Sequence, residues 1–492
     1  YLSMEEQAEI GVAVDADGVV RFLSTANGKL LKQVRLPLPA GTRVASFSAA
    51  RPNSGVVALG LSNGKALVLR HRYQVSFPGD KRVITPQIAY PLGPEPVDVA
   101  VDGSALVKIA VQVEESFTLV AWSEGGVLSV VRAVQQDSLF EDEVSFEFER
   151  SSGYSDLQDV TALLIDPAQR NLYVISADGT LAWFDISDLE ESRLREQLSV
   201  AAPGVRVREA ALLSSGVSVM VATDDDVVSQ WFVVRGEQGA RHLRKIRSFD
   251  DTGSLGALVP EFSRKGFLVG GNDGSVSVFH ATAHERLIRE PVTNSGIRLL
   301  AVAPRANAFW ALDGDNRLHF WRIENEHPEV SWHSLWSKIW YEGYDEPQYV
   351  WQSSSASNDF EPKFSLVPLT FGTLKAAFYA MLFAIPLSIL GAIFTAYFMA
   401  PRMRRLVKPS IEIMEALPTV ILGFLAGLWL APLVESHMLG IFSLFLVTPL
   451  ATLLAAWLWR RPRTASGRRL HSHAATHVAR GVTRNRAKIP SI

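Results

Sequence analysis

One short turn recurs through the first two-thirds of the chain. It is a polar corner carrying Gly, Asp or Asn, set each time between two β-branched or alternating apolar runs. The clearest copies are residues 172–184 around Gly179 and 267–279 around Gly274, with further copies at 56–69 around Gly64 and 309–321 around Asp315. Asp-Gly and Asn-Gly between such runs predict β-hairpins, because a type I′ turn needs positive φ. The corners fall near Gly18, Gly64, Gly126, Gly179, Asp226, Gly274 and Asp315, about 40–60 residues apart. A four-stranded propeller blade repeats at about 40–50 residues. A lone hairpin cannot bury its apolar face, and blades stacked round an axis solve both burial and exposed edges. The spacing therefore predicts an all-β propeller of about seven blades over residues 1–327. A pair of packed β-sheets is the competing architecture.

The strict Gly-His and Trp-Asp signatures of WD repeats are missing, so the expected propeller is WD-like only in a divergent sense. At 492 residues, two or more domains are expected. A formal charge of -3 gives no reason to expect a nucleic-acid partner. The absence of cysteine excludes disulfides and Cys-rich zinc sites. No signal peptide opens the chain at Tyr1, and an upstream start is expected.

The front region shows no motif that compels chemistry. His280 and His284 flank a strand end and read as a surface turn. The run Asp224, Asp225, Asp226 lacks the remaining ligands of a calcium loop and reads as an acidic hairpin tip. Ser62 and Lys65 match S-x-x-K only across a β-turn, and no P-loop is present. The expectation is a protein that is not an enzyme, with no catalytic residue, cofactor or metal site.

Residues 328–365 change character. Trp332, Trp336 and Trp340 recur every four residues with Leu335 and Ile339, which predicts an amphipathic helix; Tyr341, Tyr344, Tyr349 and Trp351 follow. Such rings suit a membrane–water interface, where the helix would dock the propeller onto the outer leaflet; the alternative is that they pack beneath the last blade. Residues 353–358, rich in serine, read as a flexible link.

Residues 366–459 hold three apolar runs, at about 374–400, 416–434 and 439–459, each long enough for a membrane-spanning helix. Pro386 lies inside the first and should kink it. Arg402, Arg404, Arg405 and Lys408 fill the loop after the first run, and Arg460, Arg461 and Arg463 follow the third. The turn between the second and third, residues 435–438, has neither Lys nor Arg. The positive-inside rule then places both basic ends in the cytoplasm and the propeller outside.

Residues 371–387, 392–399 and above all 407–432 resemble the core helices of phosphate-type ABC permeases, the C subunit (PstC) in its long form with a large periplasmic insertion. The junction at 340–363 is similar to that form as well. The region carrying the resemblance contains Glu412, Glu415, Pro418, Gly423 and Gly427, with Ala426; small residues there let helices approach and Pro418 allows local unwinding. The resemblance implies a multi-pass protein of the bacterial inner membrane with its propeller in the periplasm, forming half of a pathway for inorganic phosphate. It implies as partners membrane lipid, a second permease subunit (PstA-like), a cytoplasmic ATPase (PstB-like) and a periplasmic phosphate-binding protein (PstS-like).

The sequence departs from that family too. The cytoplasmic coupling loop and an R-A-x-G-E-T-like segment are absent, and residues 460–492 are an Arg- and His-rich tail in which His471, His473 and His477 have no predicted fold around them. A frameshift or truncation is the expectation, and with it a permease that is C-terminally incomplete. Two other classes stay open: a membrane-anchored propeller used as a binding or sensing module, and an enzyme with its site at the propeller axis.

Overall fold

The computed structural model describes residues 1–51, 54–80, 82–136, 145–152, 157–236, 239–354 and 361–460. The chain divides into two compact units, Tyr1–Ala377 and Phe378–Ile492.

Seven antiparallel sheets make up most of the first unit. Blade 1 spans residues 2–35, blade 2 residues 44–98, blade 3 residues 106–152, blade 4 residues 160–199, blade 5 residues 207–249, blade 6 residues 255–291 and blade 7 residues 297–322. Within each, strands pair in the order of the chain, as successive hairpins dictate. Blade 2 adds a short strand, Val97–Asp98, against Lys65 and Ala66. Blade 7 has three described strands and the others four or five. From blade 2 to blade 7 the first strands of successive blades lie side by side, and that of blade 7, Ile297–Val302, returns to Leu2–Met4 of blade 1. The expected seven-bladed propeller is the fold.

Each blade is sandwiched between two neighbours, so its middle strands are buried on both faces. Val56–Leu61, Gly266–Gly271 and Ser275–His280 are buried at every position, while outer strands such as Arg193–Ser199 alternate toward solvent. Apolar clusters therefore lie between blades: Ile10, Val12 and Phe22 of blade 1 pack on Leu59, Leu67 and Leu69 of blade 2. The ring closes by side-chain packing between blades 1 and 7, where Met4 and Ala8 meet Ala301, Ala308 and Trp310. Gly11 is required at this seam, since a Cβ there would lie 1.9 Å from the Trp310 ring.

The recurrent corners are the middle hairpin of every blade. Gly18, Gly64, Gly126, Gly179, Asp226 and Gly274 all have positive φ, and in the seventh blade that role falls to Asn316, next to the expected Asp315. The type I′ expectation is corrected. Each corner has one left-handed residue, whose N–H donates to the carbonyl three positions back, as in Gly64 to Leu61 and Gly179 to Ser176. That is a type I turn closed by a left-handed residue, which explains why Asp and Asn can replace Gly there.

After blade 7 come α1 (Trp332–Trp336) and a two-stranded pair, Trp351–Gln352 with Lys363–Phe364. Then follow α2 (Val367–Ile393), α3 (Pro401–Glu415), α4 (Thr419–Leu425), α5 (Ala431–Ser436) and α6 (Met438–Arg460). π-helical turns at Phe394–Phe398 and Ala426–Leu430 extend α2 and join α4 to α5. Three stretches are long and apolar enough to cross a membrane: Val367–Phe398, Thr419–Ser436 and Met438–Trp459. Residues 355–358 of the serine-rich link, Arg461, Arg463 and the three tail histidines lie outside the described residues.

Candidate functional site: the docking collar and the spanning helices

The collar is shorter in helix than its periodicity suggests. A capping box holds α1: the Ser331 hydroxyl accepts from the Ser334 N–H, and the Ser331 N–H donates to Ser334 Oγ. The helix ends at Trp336, because Ser337 turns to extended backbone and Ile339 bridges to Gln348. Trp340 is therefore on no helix. Its ring meets Phe232 edge-on, with the Arg244 guanidinium 5.1 Å from the centroid, and its Nε1–H donates to Tyr344 O at 2.8 Å.

The rings divide into two sets. Trp340 and Tyr341 pack on the propeller, against blades 5 and 6 where the last blade was expected. Trp332, 80% exposed, together with Trp336, Tyr349 and Trp351, faces outward.

Buried charge fixes the collar on blades 5 and 6. The Lys265 ammonium pairs with the Glu342 carboxylate, the two side chains being only 7% and 12% exposed. Ser215 and Ser218 hydroxyls donate to the same carboxylate at 2.6 and 2.5 Å. Arg247 donates to the Ala281 and Trp340 carbonyls. Thr282 donates its hydroxyl to Glu361, whose carboxyl is pushed above the usual range by burial and by the nearby Glu342 charge. The Ser331 hydroxyl donates to Ala283 O at 2.9 Å. Farther along, the Leu366 N–H donates to Leu335 O, so the residue just before α2 is tied to α1. His280, expected at a surface turn, is buried at the end of its strand. Its Nδ1 accepts from the Ala283 N–H, and desolvation lowers its pKa to about 3. His284 keeps an exposed place and contacts Ser248 O.

The remaining front-region candidates are structural. Asp224 accepts from the Arg206 N–H just ahead of blade 5, and Asp226 accepts from the Leu255 N–H and ties the blade 5 tip to blade 6. Lys65 pairs with Asp98 at 2.9 Å, and Ser62 accepts from the Arg43 N–H.

In the second unit, Arg402, Arg404, Arg405 and Lys408 lie on α3, a helix where a loop was expected. Pro401 at its first turn is compatible with a helix start, and polar and apolar residues then segregate to opposite sides. The Arg404 guanidinium donates to the Thr395 and Ala396 carbonyls left free by the end of the π turn. Arg404, Lys408 and Glu412 line a cavity of about 670 Å³ with Thr395 and Ser388 of the preceding helix. Glu415 is the last residue of α3, Pro418 caps α4, Gly423 lies within α4, and Gly427 is in the π turn after it. The predicted residues therefore follow one another along a broken helical segment, and Arg404, Lys408 and Glu412 share the cavity.

No protein-family model matches the chain. Over 76 residues it is 32% identical to the probable ABC transporter permease protein YqgH of Bacillus subtilis (strain 168). That match takes in 15% of this chain and 25% of the relative, so the chain spans about a quarter of the length of the curated protein it resembles. Among solved structures it is similar to the beta-propeller domain of Myceliophteria thermophila Cps50 (Swd1), at 11% identity and a TM-score of 0.45, over 66% of this chain and 95% of that one. A structure of the Mitotic Checkpoint Complex contains a chain of 11% identity and TM-score 0.43, covering 66% of this chain and 86% of that one. The permease likeness accompanies three helices long and apolar enough to cross a membrane.

What sequence reasoning missed is the Lys265–Glu342 pair and its serine partners. Nothing local marks them, because the pairing joins positions 77 residues apart. The faint signal was composition: Arg264-Lys265 stands directly before the apolar run Gly266–Gly271.

Proposed function

We propose that this chain is a membrane-spanning subunit of the permease part of an ABC importer, bearing an extracytoplasmic propeller. The observation that carries the reading is the permease likeness in a chain with three spanning-length helices. The basic face of α3 supports its orientation, since Arg402, Arg404, Arg405 and Lys408 belong on the cytoplasmic side. The finer reading is an importer of inorganic phosphate in the bacterial inner membrane. The C-subunit resemblance at 407–432 supports it, and the partners are then a second permease subunit, an ATPase and a phosphate-binding protein.

Purifying the full chain from membranes tests this: an ABC-type ATPase is expected to co-purify, and a preparation free of any such ATPase would sink the permease reading. Topology is checked in the same cells. The chain lacks cysteine, so Glu191→Cys, on an exposed corner of blade 4, should react with an impermeant maleimide in intact spheroplasts while Arg405→Cys stays protected. The opposite pattern would invert the assignment. A membrane-anchored binding module is the second reading, favoured by the open cleft described next.

A further inference from the structure

A cleft of about 1180 Å³ opens where the turns between first and second strands of blades 1, 2, 6 and 7 come together. Its walls carry fixed charge of both signs, but the two signs are not equally satisfied. Arg82 pairs with Glu9 at 2.6 Å, and Arg305 pairs with Glu6 at 2.7 Å. The two carboxylate oxygens of Glu5 accept from the Gln7 and Glu9 N–H groups at 2.9 Å each. The acids on this wall are thus engaged.

Two guanidiniums are left over. Arg70 and Arg72 follow one another on the strand Lys65–Ser76, and among the described residues neither has an acidic partner. The Arg70 Nε is buried with no hydrogen-bond partner, and on the same strand His71 Nδ1 and the Tyr73 hydroxyl are buried and unpartnered as well. Desolvation and the charge of Arg72 both disfavour the protonated form of Arg70. Side chains alternate along a strand, so Arg70 and Arg72 share one face of it and His71 and Tyr73 the other. Natural folds leave few buried polar groups unsatisfied, so on the arginine face the unpaired Arg70 Nε calls for a partner. A guanidinium holds planar or tetrahedral oxyanions through parallel N–H donors, and a closely placed second one adds charge without adding an acid.

We propose that this cleft binds a small polar molecule bearing an oxyanion, a phosphate ester or a carboxylate, gripped by Arg70 and Arg72. Its volume accommodates a ligand well beyond a bare ion, with the paired residues Arg82–Glu9 and Arg305–Glu6 forming a polar rim. The inference does not depend on the permease assignment.

The test is isothermal titration calorimetry on the full chain in detergent at low salt, with sn-glycerol 3-phosphate and citrate as separate probes. At least one probe should bind saturably, with affinity falling as salt is raised. Arg72→Gln, an exposed change that leaves the core untouched, should weaken binding at least tenfold, and Arg70→Gln should weaken it at least as much. Arg298→Gln, on blade 7 with its guanidinium on Asn316, should leave it unchanged. Binding of only one probe supports the proposal and identifies the oxyanion. Absence of binding by both probes overturns it, and so does equal binding by wild type and Arg72→Gln. If Arg70→Gln proves unfolded, the Arg72→Gln comparison decides alone.

Discussion

Phe22 and Phe383 are the same side chain in two different solvents. Phe22, in blade 1, is fully buried and packs among Leu59, Leu67 and Leu69 of the next blade. Phe383, in α2, is 73% exposed, and within all three spanning-length windows no residue is buried by the chain itself. The propeller hides its apolar surface from water by stacking sheet on sheet. The helices leave theirs facing outward, at Phe371, Leu387, Phe424, Phe445 and many positions between. Apolar surface of that extent has no place in water. Fold stability in the first region is therefore written in side-chain contacts, and in the second it depends on the apolar medium and on neighbouring helices.

The sharpest way to break that comparison is to shorten both rings. Phe22→Ala is expected to lower the unfolding free energy by about 3–5 kcal/mol through lost transfer energy and a cavity. Phe383→Ala should change it by less than about 0.5 kcal/mol, because no packed cavity forms. Urea titration of the detergent-solubilised chain, followed by near-ultraviolet circular dichroism of the propeller tryptophans, measures both. Equal losses would mean that Phe383 is packed against protein after all.

The collar tests the boundary between the two regimes. Glu342→Ala leaves the Lys265 ammonium buried without its partner and should cost about 3 kcal/mol, the usual scale for half of a buried ion pair. The double replacement Lys265→Met with Glu342→Leu removes both charges and should recover most of that loss. If instead the double variant is as unstable as the single one, the pair contributes through Ser215 and Ser218 and their geometry, not through charge balance. Hydrogen exchange in peptides from 332–366 would show whether the collar alone loosens or blades 5 and 6 open with it.

These expectations differ in how well the sequence announces them. The blades were legible because the device that forms them is local. A turn such as Ser62-Asn63-Gly64 needs one left-handed residue, and only a few residue types accept it. The spans were legible for a similar reason, since a run without charge between Lys375 and Arg402 needs no partner to be recognised. The turn type was not legible, because the type I and type I′ solutions both use Asn-Gly and differ in the φ of the preceding residue. The helical arrangement of Arg402 to Lys408 was hidden by the density of charge, which resembles a loop until its 3.6-residue sorting is followed through. The collar defeated local reading altogether. Trp332, Trp336 and Trp340 have helical spacing, yet the extended backbone at Ser337 ends the helix and long-range contacts with Phe232 and Arg244 place the third ring. Of the cleft, only the arginines themselves were visible in the sequence. Which acids pair with Arg82 and Arg305, and which arginines remain unpaired, depends on residues brought together from blades 1, 2 and 7.

The smallest expected effect concerns charge near the propeller axis. Glu209 lies in the first strand of blade 5, where its carboxyl accepts from the Leu258 N–H of blade 6 at 2.7 Å. Desolvation raises its pKa to about 7, outweighing that hydrogen bond and the charge of Lys108. A carboxyl whose pKa is raised on folding favours the folded state most below its unfolded pKa, near 4.5. That advantage is lost as pH climbs through about 7, because the unfolded chain releases its proton first. Glu209→Gln keeps an acceptor for the Leu258 N–H and never ionises. The variant should therefore gain on wild type between pH 5 and pH 8, by about 1–2 kcal/mol with allowance for residual hydration of a half-buried side chain. Paired urea titrations at the two pH values read this directly. A constant difference between variant and wild type would show that water reaches Glu209 and that the inner ends of blades 5 and 6 are wet. In that case the contrast with the spanning helices narrows, since α2 carries no ionisable acid or base between Ala376 and its last residue, Ile393, other than the phenol of Tyr379. A rising difference would instead make the axis a dry interior that tolerates a carboxyl by keeping it protonated.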